Sequence, residues 1–167
     1  MSWIKGGAPG AFAVLAAARL FTLPAAAQTV YDPLSTQDVQ HLFERKAMEV
    51  KIDPSDGNGE GEYVVSKFDN ISFWIHFTAC DDDGTDCEII VFDAGFSYND
   101  NNKRPSSDAI NEWNAYHLGK AGLDKSGNPY LNIEVNVVGG ITRANLEDTL
   151  DWWESTLGEF TDYIDWS

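Results

Sequence analysis

Between Ile71 and Phe96 the chain reads ISFWIHFTACDDDGTDCEIIVFDAGF, and no other stretch constrains the fold as much. Ile71, Phe73, Ile75, Phe77 and Ala79 alternate with Ser72, Trp74, His76 and Thr78. A period of two is the signature of a strand with one buried face. After the acidic loop, Ile90, Phe92 and Phe96 take one face, and Ile89, Val91 and Asp93 take the other. Cys80 and Cys87 stand at the two ends of that loop. If they pair across a regular antiparallel hairpin, facing residues have numbers that sum to 167. Phe77 then faces Ile90, Ile75 faces Phe92 and Phe73 faces Ala94, which makes one apolar face. Thr78 opposite Ile89, His76 opposite Val91 and Trp74 opposite Asp93 make a second, mixed face. A slip of one residue would separate the sulfurs and mix the faces.

Whether the cysteines pair depends on compartment. The N-terminus carries Lys5, an apolar stretch from Ala11 to Leu23 and an A-x-A site at Ala25 and Ala27. This reads as a signal peptide over residues 1–27 with cleavage after Ala27, leaving one domain over residues 28–167. Arg19 interrupts the apolar stretch and argues against a membrane-spanning anchor. The expected location is periplasmic or secreted, with no membrane association after cleavage. Two cysteines exported to an oxidising compartment pair. A zinc site would need two more ligands, and His41, His76 and His117 show no ligand spacing. Closing so short a loop stabilises by about 2–3 kcal/mol in the chain-entropy model. Asp81, Asp82, Asp83 and Asp86 are carboxylates that could grip calcium, but the loop lacks the distal glutamate and spacing of an EF-hand. The preferred reading is a solvated acidic hairpin tip, and calcium stays open.

Without residues 1–27 the chain has nine basic and 27 acidic side chains, a formal charge of −18. Such a surface repels phosphate backbones and anionic headgroups, which excludes nucleic acid as the expected partner. It fits a basic protein partner, and it equally fits the solubility of an exported protein.

The rest of the chain supplies the other elements. Ser35 caps a first helix with Asp38 as an approximate capping box, and Val39, Leu42, Phe43 and Ala47 follow one face to an end near Met48. EVKID and GEYVVSK read as strands around the turn PSDGNGEG, and KFDN is a second turn. NDNNKRPSS is a loop, after which Ser106 or Ser107 caps a helix bearing Ile110, Trp113 and His117. Asn111 and Asn114 are poor helix formers inside it: they either contact a partner or bond nearby loop backbone. GKAGLDK and YLNIEVNVV flank SGNP as a second hairpin. Thr142 caps the last helix, with Ile141 and Leu146 as a hydrophobic staple. Leu146, Leu150, Trp153, Leu157, Phe160 and Ile164 form one stripe, with Gly158 a candidate break before it ends. The expected architecture is α+β: an antiparallel sheet of five to six strands, helices on one face, order α-β-β-β-β-α-β-β-α.

DAGFS, INEWNAYHLGKAGLD, GNPYLNIEVNVVGGIT and NLEDTLDWWESTLGEF, between Thr36 and Phe160, give the chain a family resemblance. It resembles the YbjN family, labelled as sensory transduction regulators of bacteria. The resemblance implies a fold similar to type III secretion chaperones, which bind protein segments and form dimers, so a protein partner and a homodimer are both expected. It implies no catalytic residues.

Chemistry is sparse. There is no G-x-S-x-G elbow, H-E-x-x-H pair or Gly-rich phosphate loop. No catalytic, cofactor-binding or metal residue is nominated. His76 beside Trp74 is either a pH-sensing group or a partly buried, hydrogen-bonded one. Trp152 falls off the apolar stripe, among Asp148, Ser155, Thr156 and Glu159. Trp74, His76 and Trp152 are therefore the candidate partner contacts, with Cys80 and Cys87 the disulfide. The expected function is an exported, non-catalytic, protein-binding or chaperone-like regulatory module. The alternatives are a calcium-binding structural envelope protein and, behind it, a cryptic hydrolase.

Overall fold

The computed structural model describes residues 28–54, 61–82, 84–98 and 104–166. The stretch read as a signal peptide, most of the PSDGNGEG turn, Asp83 and the first half of the NDNNKRPSS loop lie outside the described residues. In chain order the elements are β1 (Val30–Tyr31), α1 (Thr36–Arg45), β2 (Val50–Asp53), β3 (Tyr63–Phe68), β4 (Ile71–Thr78) and β5 (Ile89–Gly95). Then come α2 (Ser107–Tyr116), β6 (Lys120–Leu123), β7 (Pro129–Asn136), β8 (Ile141–Thr142) and α3 (Arg143–Tyr163). Six strands form one antiparallel sheet in the order β2-β3-β4-β5-β7-β6, and β1 pairs with β8 apart from it. The α+β class and the element order of the main sheet and helices agree with the sequence reading. The small β1–β8 pair was not foreseen, because two residues are too few to show a period.

The β4–β5 register follows the disulfide rule. Trp74 faces Asp93, Ile75 faces Phe92, His76 faces Val91, Phe77 faces Ile90 and Thr78 faces Ile89. The Glu88 amide donates to the Ala79 carbonyl (3.3 Å), which carries the register on to a formed Cys80–Cys87 disulfide. Ile71, Phe73, Ile75, Ile90, Phe92 and Ala94 are all buried, while Trp74, His76, Val91 and Asp93 are only partly covered. The apolar alternation thus decides which face of the sheet the helices cover.

Local chemistry sets the helix ends. The Ser35 hydroxyl accepts from the Asp38 amide and the Asp38 carboxylate accepts from the Ser35 amide (3.0 Å), a complete capping box. Such a cap stabilises by about 1 kcal/mol. The far end differs from expectation. Helix α1 stops at Arg45, and Ala47 adopts a left-handed φ of 58° and is exposed. A left-handed residue cannot continue the helix, so Ala47 leaves the apolar face and only Val39, Leu42 and Phe43 stay on it. Gly158 does not break α3, which runs on to Tyr163. Leu157 and Phe160, both fully buried, hold the helix on the sheet across that position. Each such burial contributes about 1.5–3 kcal/mol, more than the roughly 1 kcal/mol that glycine costs in a helix.

Helix α3 lies over the centre of the sheet. Trp153 meets Phe73 and Phe92 with ring centroids 5.7 Å apart in each case. Ile141 and Leu146 are both buried as the staple requires. Gly140, at φ 91°, lets the chain turn close against β1: a Cβ there would come within 2.8 Å of Val30. The C-terminus is tied back by the Tyr98 hydroxyl, which donates to the Ile164 carbonyl (2.8 Å).

Candidate functional site

The three candidate partner contacts do not form one site. Trp74 and His76 project from β4 onto the face of the sheet opposite the described helices. A single cross-strand row there runs Lys51, Val65, Trp74, Asp93, Asn132, Lys120, one residue from each of the six strands. His76 packs against the Tyr63 ring, centroids 5.4 Å apart. Burial raises the Asp93 carboxyl above the ordinary carboxylate value, and the charge of His76 works against that shift. His76 is thus an interacting, half-covered side chain on a mixed surface. A shallow pocket of about 210 Å³ lies beside His76, Val91 and Asp93, and one of about 340 Å³ beside Trp74, Val65 and Lys67.

Trp152 lies on the other side of the molecule. Its neighbour Trp153 enters the core, and a step of 100° along the helix turns Trp152 outward, where it is 55% exposed. The structure adds two residues that sequence reasoning missed. Tyr116 is 80% and Leu118 is 57% exposed, and both border the same groove as Trp152, a space of about 350 Å³ between α3 and the end of α2. Helix α2 has ten residues, and Ile110 and Trp113 fill its buried face. Tyr116 lies three residues, about 60° round the helix, from the buried Trp113, so its position gave no signal of its exposure. Leu118 precedes Gly119, whose φ of 78° turns the chain sharply into β6. The corner is tight: a Cβ at Gly119 would come within 3.0 Å of Leu131.

His117 closes the inner wall of this groove. It does not join the buried face of α2 but caps its C-terminus, lying flat on the buried Trp113 with centroids 4.2 Å apart and planes at 6°. Its Nδ1 stands 3.9 Å from a Glu159 carboxylate oxygen. Thr156 forms the floor and is turned inward by donating to the Trp152 carbonyl (2.7 Å). The groove therefore offers the exposed Trp152 and Tyr116 rings, the aliphatic Leu118, and one exposed carboxylate, Glu159, with the His117 imidazole beside it.

Asn114 answers the question its helix position raised. Its Nδ2 donates to the Ala121 carbonyl (3.0 Å) and its Oδ1 accepts from the Ala121 amide (2.8 Å). It closes the outer edge of β6 rather than facing a partner. In the acidic loop, Asp81 is engaged locally: its Oδ1 accepts from the Thr85 amide (2.8 Å). Among the described residues no cluster of His, Cys, Asp and Glu is arranged to hold a metal, and no helix is long and apolar enough to cross a membrane.

Comparison with known proteins found no match among curated proteins and none among solved structures. A family model does match, over residues 35–166, from the cap of α1 to the residue after the C-terminal turn of α3. That family is described as "Putative bacterial sensory transduction regulator". The match spans every strand of the six-stranded sheet and each of the three described helices, so the chain belongs to the YbjN family.

Proposed function

We propose that this chain is an exported, non-catalytic module that binds another polypeptide in a regulatory role within the bacterial envelope. One observation carries the reading: Trp152, Tyr116 and Leu118 are exposed together around one groove on the helical side. An isolated exposed apolar residue needs no explanation, but aromatic residues gathered around a groove mark contact surfaces. The family's regulatory description fits a binding role, and the A-x-A site with the Cys80–Cys87 disulfide supports export.

The test places a photo-crosslinking amino acid at position 152 and, as control, at position 41 on the exposed side of α1, in cells of the native host. A polypeptide adduct in the envelope fraction from position 152 and none from position 41 supports the reading. No adduct at either position, or a chain retained in the cytosol at full length, overturns it.

A further inference from the structure

The groove beside Trp152 lies between two helices that carry more acidic than basic side chains. Helix α2 carries Asp108 and Glu112 with no basic side chain, and α3 carries six acids against Arg143 alone. Asp148 lies one turn before Trp152, Glu112 one turn before Tyr116, and Glu159 borders the groove itself. All three carboxylates are solvent-exposed. Aromatic faces framed by carboxylates are matched by cations on an apolar stem.

We infer that this groove binds a basic segment of a partner polypeptide, with an arginine or lysine stem against the Trp152 and Tyr116 rings and its cation beside Glu159. This rests on the protein-binding reading above and adds the partner's chemistry. An arginine suits the site best, because a planar guanidinium stacks on an indole face and pairs with a carboxylate at its edge. An apolar residue next to it in the partner would cover Leu118. A second copy of this chain is a poorer occupant, since it would bring its own acidic helices against this one. An anionic lipid surface is repelled for the same reason.

The probe is a fluorescent peptide of alternating arginine and leucine, with a twin in which citrulline replaces arginine and removes only the charge. Binding is read by fluorescence anisotropy against the whole chain, and each variant is first shown to melt as the wild type does. The expected results are binding of the arginine peptide that weakens with salt, and at least tenfold weaker binding of the citrulline twin. Trp152→Ala should weaken the arginine peptide about fivefold or more, although it leaves the protein's charge unchanged. Glu159→Gln should weaken it about threefold to tenfold. Asp81→Asn with Asp82→Asn removes two charges far from the groove and should change affinity less than twofold.

Equal binding to wild type and Trp152→Ala, or affinity that follows total charge alone, overturns the inference. So does equal binding of the citrulline twin, or a dimer in sedimentation that Trp152→Ala dissolves. A crosslink at position 152 to a polypeptide without basic segments also overturns it, while leaving the protein-binding reading standing.

Discussion

Asn114→Ala is the substitution whose consequence the structure fixes most closely. Strand β6 is an edge of the sheet, and Asn114 covers that edge by bonding both main-chain groups of Ala121, at 3.0 Å and 2.8 Å. Ala121 is only 5% exposed, so water replaces these bonds poorly. Each orphaned group costs about 1–3 kcal/mol when buried. The lower half of that range applies, because Asn114 itself is exposed and its removal admits some water. Against a loss of roughly 2–4 kcal/mol stands the better helix propensity of alanine, about 0.6 kcal/mol. The expected net loss is about 1.5–3 kcal/mol, or roughly a 1 M fall in the urea midpoint.

Asn111→Ala is the matched control. It lies on the same helix, is exposed, and should gain the propensity term alone. Hydrogen exchange supplies a local readout: the Ala121 amide should lose protection in Asn114→Ala while β5 amides keep theirs. An uncovered edge also templates strand pairing, so the variant should self-associate more at high concentration. If Asn114→Ala is as stable as Asn111→Ala and Ala121 stays protected, the reasoning about the edge is wrong.

Three other outcomes are expected. Reducing the Cys80–Cys87 disulfide, which spans a separation of seven residues, should lower stability by about 2.5 kcal/mol with little change in the far-UV spectrum; no shift in the urea midpoint on reduction would contradict this. Gly158→Ala should stabilise by about 0.5–1 kcal/mol, because a Cβ there meets nothing within 4 Å and the residue is helical; a lower melting temperature would show that α3 needs the glycine. The folded pKa of Asp93 is raised by burial, so ionising it costs stability: the cost is absent below about pH 4 and grows as pH rises through the folded value. Asp93→Asn should therefore be more stable than wild type at neutral pH, with the difference closing in acid; a variant less stable than wild type at neutral pH, with that deficit closing in acid, would mean that the attraction of His76 dominates.

The sheet was legible because two independent constraints agreed on it. The disulfide fixes one register of β4 against β5, and the alternation of Phe73, Ile75, Ile90 and Phe92 demands the same one. Caps were legible where one side chain closes one turn, as Ser35, Ser106 and Thr142 do. Helix ends governed by tertiary packing were not. The left-handed Ala47 and the helical Gly158 both depend on what the neighbouring residues bury. The groove was half legible. Trp152 stood out because a 21-residue helix shows its stripe clearly, and Tyr116 did not because a helix of ten residues defines its faces poorly. Nothing in the local pattern placed these two side by side, since that depends on how α2 meets α3.

The separation of Trp74 from Trp152 bears on which of them the proposed basic partner would meet. On the open sheet face the charges nearly cancel: Lys51 bonds Asp53 (2.7 Å), Lys67 stands 3.8 Å from Glu49, and Lys120 ends the row that holds Asp93. Trp74 is half covered there, between Val65 and Asp93. On the helical side the six acids of α3 meet only Arg143, which pairs with Glu147, Lys46, which pairs with Asp151, and His117, 3.9 Å from Glu159, so an excess of carboxylates remains beside a Trp that is 55% exposed. Long-range attraction therefore steers a cationic segment toward α2 and α3, and the more exposed ring gains more by being covered. Trp74→Ala, assayed with the arginine peptide at a temperature where it remains folded, should bind within twofold of wild type, whereas Trp152→Ala should not. A Trp74→Ala defect as large as that of Trp152→Ala would place the contact on the sheet and reverse the assignment.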